Sequence, residues 1–233
     1  MKQTSGLLLA GSLKKAGVIF YQRNGQTIIR VAHSNERRSN TAAQFVQRQR
    51  MRHTTALWQM LKPLVPMFSG GKSVYARFAT LANRLPAVFV PCQGPLSGAS
   101  FLMPDLPVSD GSLPPVKQWL DSAALRTTLR AGDLHRNEKL LLYTAEQRIE
   151  QHTPRVRFLP VREVGLDEFT EVEGRLALTG EVFADDNKGW ALVRVEGDRC
   201  STQCLVTRCR LYEQYTTEEA MKKAAESYGG ITE

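Results

Sequence analysis

Residues 16–62 read AGVIFYQRNGQTIIRVAHSNERRSNTAAQFVQRQRMRHTTALWQMLK, and the rest of the chain is arranged around them. Val18-Ile19-Phe20-Tyr21 and Thr27-Ile28-Ile29-Arg30-Val31 are β-branched and aromatic runs. Between them lies Arg23-Asn24-Gly25-Gln26, and Asn-Gly supplies the positive φ angles of a two-residue type I′ turn. The pattern predicts a β-hairpin. A lone hairpin is marginal in water, so it is expected to pack on the helix that follows. Thr41-Ala42-Ala43-Gln44 fits a capping box, in which the Thr hydroxyl accepts from the Gln44 amide and the Gln44 side chain reaches back. The helix is expected to run to about Lys62, since Pro63 disfavours helix at the residue before it.

Working outward, Pro63 and Pro66 break the chain and Ser69-Gly70-Gly71-Lys72-Ser73 forms a loop. A second helix is expected over Val74–Asn83 and a short strand over Ala87–Val90. Residues 93–115 are rich in Pro, Gly and Ser and read as a linker. From Val116 the pattern changes to short strands, expected at 116–120, 124–129, 139–144, 155–164, 176–183, 190–195, 200–208 and 211–215. Turns are expected at Ala131-Gly132-Asp133, Asp185-Asp186-Asn187 and Gly197-Asp198. That spacing predicts an antiparallel, immunoglobulin-like β-sandwich. A capping box at Thr216-Thr217-Glu218-Glu219 opens a short terminal helix that stops at Gly229-Gly230. The expected fold class is α+β. Its divisions are a basic hairpin-helix module (1–92), a linker (93–115) and a sandwich with a C-terminal helix (116–233).

Charge is distributed unevenly. Residues 1–84 hold fourteen Lys and Arg against one acid, Glu36, a net +13; residues 85–233 hold seventeen against twenty-two, a net −5. Arg37, Arg38, Arg48, Arg50 and Arg52 fall within sixteen residues. A solvated helix face normally mixes signs, and this one does not. Arg also pairs bidentately with carboxylate or phosphate. These five are therefore the candidate anion-binding or partner-binding residues, and Arg48 and Arg52 stand one turn apart. The expected partner is a second copy or another protein with an acidic surface. Nucleic acid is the alternative, bound through phosphates because no base-reading motif is present.

A further set of residues carries a resemblance: Gly17, Tyr21, Gly25, Arg30, Thr41, Gln44, Arg48, Asn83, Ser109-Asp110-Gly111, Gly132-Asp133, Tyr143, Trp190 and Ser201-x-Gln203. Their order is similar to that of a family of uncharacterised proteins from Bacteroidetes and from mobile or phage-like elements. The likeness spans nearly the whole chain. Relatives carry Asn-Pro-x-Thr before the helix, whereas this chain has Arg38-Ser39-Asn40-Thr41. The family has no established activity. The resemblance implies the hairpin, helix and sandwich order, and by analogy an assembly role.

Catalytic chemistry finds no foothold. Cys200, Cys204 and Cys209 lack the C-x-x-C pairs of a zinc site, and Cys92 stands alone. Read on one strand, Cys200 and Cys204 would share a face opposite Cys209. Gly71-Lys72-Ser73 lacks the P-loop's first Gly, whose place is taken by Pro66, and no buried strand precedes it. His33, His53, His135 and His152 form no metal or triad spacing. Glu171 and Glu173 are expected to share a strand face. The chain is thus expected to be a non-enzymatic structural, assembly or interaction protein with no catalytic residues, metal or cofactor. No run approaches the roughly 18 apolar residues of a membrane span. The expected location is cytoplasmic, or virion-associated if phage-derived.

Overall fold

The computed structural model of the chain describes residues 18–23, 26–31, 41–64, 68, 73–91, 98–135 and 137–231. The chain divides into two compact units, residues 1–40 and residues 41–232. In the first, β1 (Val18–Arg23) pairs antiparallel with β2 (Gln26–Val31) in a register running from Val18↔Val31 to Arg23↔Gln26. The turn residues Asn24 and Gly25 lie outside the described residues. So do the hairpin's side chains other than Gln26, and with them the expected packing on the helix.

The second unit opens with α1 (Ala42–Leu61), followed by a 3-10 turn over Lys62–Leu64 that absorbs Pro63. Thr41 caps α1, its side chain accepting from the Gln44 amide at 3.3 Å. The reciprocal half of the expected capping box is replaced: Gln44 Oε1 accepts from Arg48 Nη2 at 3.5 Å. Helix α2 (Val74–Ala82) starts on Ser73, whose hydroxyl accepts from the Ala76 amide at 3.2 Å. Ser73 thus opens a helix, as its loop position suggests, while residues 69–72 lie outside the described ones. Helix α3 (Glu218–Ser227) is capped by Thr217, one residue later than the box expected at Thr216. It ends at Gly229 and Gly230, both at positive φ, with the Gly230 amide returning to the Ala225 carbonyl at 2.9 Å.

The strands are β3 (Pro107–Ser109), β4 (Gln118–Asp121), β5 (Ala124–Thr127), β6 (Lys139–Glu150), β7 (Thr153–Phe158), β8 (Arg162–Val164) and β9 (Thr170–Val172). They continue as β10 (Arg175–Thr179), β11 (Lys188–Glu196), β12 (Arg199–Cys200), β13 (Gln203–Cys204) and β14 (Val206–Thr207). One sheet has the order β12-β11-β6-β7, with β14 beside β11 and β8 beside β6. A second has the order β4-β5-β10-β9, and β13 pairs with β3 alone. The fold is α+β, with three α-helices among the described residues and mostly antiparallel sheets.

Strand β11 shows how the layers stack. Trp190 and Leu192 point into a core shared with Leu125, Leu176 and Leu178 of the smaller sheet. Ala191 and Val193 point the other way, into a core shared with Leu57 and Leu61 of α1 and Phe78 of α2. Because side chains alternate along a strand, a strand covered on both faces must be apolar throughout. Residues 189–193 are apolar and buried, and the buried Arg194 that follows is paired with Glu138. A third, smaller core joins Phe45 of α1 to Ala87, Phe89 and α3.

Several expectations are corrected. Residues 98–115 are no linker, because Phe101, Leu102, Met103, Leu106 and Val108 are fully buried in the largest core. The backbone donors of this extended segment are met one by one from distant positions. The Ser100 amide donates to the Pro154 carbonyl, Phe101 to His53 Nε2, and Leu102 to Gln147 Oε1. The expected boundaries at 92 and 116 therefore fall inside one unit. Residues 87–90 form no strand, although the Phe89 amide donates to the Tyr215 carbonyl at 2.8 Å. Leu211–Tyr215 is a 3-10 helix, and the expected strand at 155–164 is two, β7 and β8. The expected strand at 200–208 breaks into three pieces, so Cys200 and Cys209 lie buried in the same core while Cys204 stands partly exposed. Glu171 sits on β9, but Glu173 is in the following turn at φ 55°.

Candidate functional site

Helix α1 carries an i, i+4 stripe, Phe45, Gln49, His53, Leu57 and Leu61, and all five are buried. At 3.6 residues per turn such a stripe drifts around the helix by about 40° per step. Its end, Leu57 and Leu61, meets the large core, while its start, Phe45, meets Phe89 and Tyr228. Gln49 and His53 fall between the two. They line a cleft of about 870 Å³ bounded by α1, by Val88 and Val90, by Gly98 and Ala99, and by Tyr228 after α3.

Two inner groups are fixed by their surroundings. His53 Nε2 accepts from the Phe101 amide at 3.1 Å, so the neutral ring carries its proton on Nδ1. Burial pushes the His53 pKa down to about 4. Gln49 is only 2 % exposed, yet its side-chain amide forms no hydrogen bond among the described residues. Its polar atoms keep slight solvent contact, and the open volume beside them is the cleft.

The five arginines of the sequence cluster separate in space. Arg37 and Arg38 lie outside the described residues. Arg48 and Arg52 are both exposed and one turn apart. Arg52 Nη1 donates to the Tyr228 hydroxyl, and its guanidinium carbon lies 4.7 Å from the centre of the same ring. Arg50 is half-buried, and its Nε is buried without a partner. It stands about 200° around the helix from Arg48, on the side of Leu57 and Leu61. Among the described residues no carboxylate pairs with Arg50 or Arg52. The sequence accounts for this: no Asp or Glu occurs between Glu36 and Asp105.

The two short motifs of the resemblance, Ser109-Asp110-Gly111 and Ser201-x-Gln203, meet at the β3–β13 joint. Ser109 Oγ donates to the Ser201 carbonyl at 2.8 Å, and Thr202 Oγ1 donates to Asp110 Oδ1 at 3.0 Å. Arg77 Nε donates to Asp110 Oδ2. Gln203 Nε2 donates to the carbonyls of Val116 and Leu192 at 2.8 and 2.9 Å. These groups satisfy one another, which makes the joint a lock between elements rather than a place for a reacting ligand. The nearby thiols are held protonated: burial raises Cys200, and raises Cys204 to about 11. They are poor nucleophiles there. No group of metal-ligating side chains occurs among the described residues. No described helix is long and apolar enough to cross a membrane.

Gln49 and His53 are the site residues that sequence motifs missed. Their signal was available, since both sit on the apolar i, i+4 stripe where polar residues are out of place. Comparison with known proteins adds no relative: no family model, curated protein or solved structure matches the chain.

Proposed function

We propose that this chain is a non-enzymatic assembly or interaction protein that docks on an acidic surface through the Arg48–Arg52 side of α1. The observation that carries the reading is Arg52. It is exposed and held in place by Tyr228, and no carboxylate among the described residues neutralises it. A guanidinium fixed by an aromatic ring loses less side-chain freedom on binding, so its pairing with an incoming acid is more favourable. The acidic surface belongs to a second copy or to another protein, in keeping with the −5 balance of residues 85–233. Arg37 and Arg38 precede the helix in sequence and extend the same positive charge. The resemblance to phage-like-element proteins favours an assembly role, in the cytoplasm or in a virion. In this reading the two facing sheets are a β-sandwich of immunoglobulin-like size to which a helical layer has been added.

The second reading is sequence-independent nucleic-acid binding, favoured by the same uncompensated positive charge. One experiment separates the two. The purified protein is examined by light scattering at about 50 mM and about 500 mM salt, with and without nuclease. A discrete oligomer that dissociates at high salt and carries no nucleic acid supports docking. Co-purifying nucleic acid supports the second reading. The Arg48→Gln/Arg52→Gln double variant should keep its fold, because Gln is nearly as good a helix former. Its association should weaken about tenfold. A monomer free of nucleic acid at both salt concentrations overturns self-docking and the nucleic-acid reading.

A further inference from the structure

We infer that the cleft beside α1 binds a small organic anion, with its acidic group at Arg52 and its uncharged body on Val88, Val90 and Ala56. The inference concerns the inside of the cleft and does not depend on the docking of α1. Four observations carry it. The volume, about 870 Å³, is that of a small-molecule site. The wall is mostly apolar with a few inward polar groups, which is how such sites combine affinity with orientation. Among the described residues no carboxylate lines it, whereas an anion meets Arg52 at the mouth.

The fourth observation is the strongest. Gln49 is 2 % exposed and His53 6 % exposed, and both border the cleft. The Gln49 amide and the His53 Nδ1–H form no hydrogen bond among the described residues. A flat partner surface cannot reach groups so deep. A ligand that enters the cleft can, and it would pair with an amide whose slight remaining solvent contact is through the cleft. Gln49 offers both a donor and an acceptor, and His53 a donor.

The test uses the full chain and four probes: 1-naphthyl phosphate, 1-naphthoate, neutral 1-naphthamide and inorganic phosphate, titrated by calorimetry and followed by amide NMR. Saturable binding of at least one naphthyl anion is expected below roughly 1 mM, with naphthamide and inorganic phosphate at least about tenfold weaker. Arg52→Gln should abolish the preference for the anion over naphthamide. Gln49→Leu should weaken the anion about fivefold, and Lys62→Gln, exposed and outside the cleft, should leave it unchanged. NMR shifts should centre on residues 49–59 and 88–90. No saturable binding by either naphthyl anion up to roughly 10 mM overturns the inference, and so does equal binding of naphthamide or a wild-type response from Arg52→Gln. Docking is read from association of the double variant, so either idea can fail while the other stands.

Discussion

Gly111 shows how a single residue can join two motifs far apart in sequence. A Cβ built on it would lie 2.7 Å from the carbonyl carbon of Cys200 and closer still to the carbonyl oxygen. The obstacle is backbone, and that backbone is held. The Leu113 amide donates to the same carbonyl at 2.9 Å, and the neighbouring Ser201 carbonyl accepts from Ser109 Oγ. It cannot yield as the tip of a flexible side chain would. Gly111→Ala should therefore destabilise the chain by about 2–3 kcal/mol in chemical denaturation. Pairing it with Cys200→Ala should recover little, because the clash is with main chain. Full recovery in the double variant would show that the Cys200 thiol is the obstacle instead.

Among the elements, α1 is the best example of what a sequence makes legible and what it hides. Its start at Thr41, its near-end before Pro63 and the one-turn spacing of Arg48 and Arg52 follow from local rules, and the structure has all three. Local rules work there because a helix cap or a proline acts within four residues. The role of residues 98–108 was hidden for the opposite reason. Their composition is that of a loop, but their backbone donors are met by His53, Gln147 and Pro154, each more than forty positions away. The same long-range pairing makes the His53 contact sensitive to pH. Its folded pKa, about 4, is below the ordinary 6.5. The unfolded chain therefore binds a proton that the folded chain refuses, and stability is present above about pH 6.5 and lost as pH falls toward 4. Between about pH 7 and pH 5 the loss from this group should be about 2 kcal/mol. Urea unfolding of wild type and His53→Gln across that range isolates the contribution, since other carboxyls titrate in both proteins. Parallel pH profiles would remove His53 as the cause.

At the scale of the whole molecule the charge and the packing divide at different places. Residues 1–40 hold seven Lys and Arg against Glu36, a net +6 of the chain's +8, which leaves +2 for residues 41–233. The buried hydrophobic residues described, from Phe45 to Ala225, all belong to the second unit. Thermal stability and electrostatic reach should therefore separate on truncation. A chain beginning at Asn40 should still melt in one cooperative transition, within about 5 °C of the full chain. Its association should lose much of its salt dependence, because long-range attraction scales with net charge and is screened within about 10 Å at 0.1 M salt. Arg48→Gln/Arg52→Gln in the full chain should give a different pattern. It removes two charges at the docking side while keeping the +6 of the first unit, so affinity falls more than the salt slope does. Measuring both slopes against salt on both proteins locates the attraction. If truncation leaves the slope intact and the double variant flattens it, α1 alone carries the long-range charge. If the truncated chain loses its cooperative melt, the first unit is part of the fold of the second and the division at residue 40 fails.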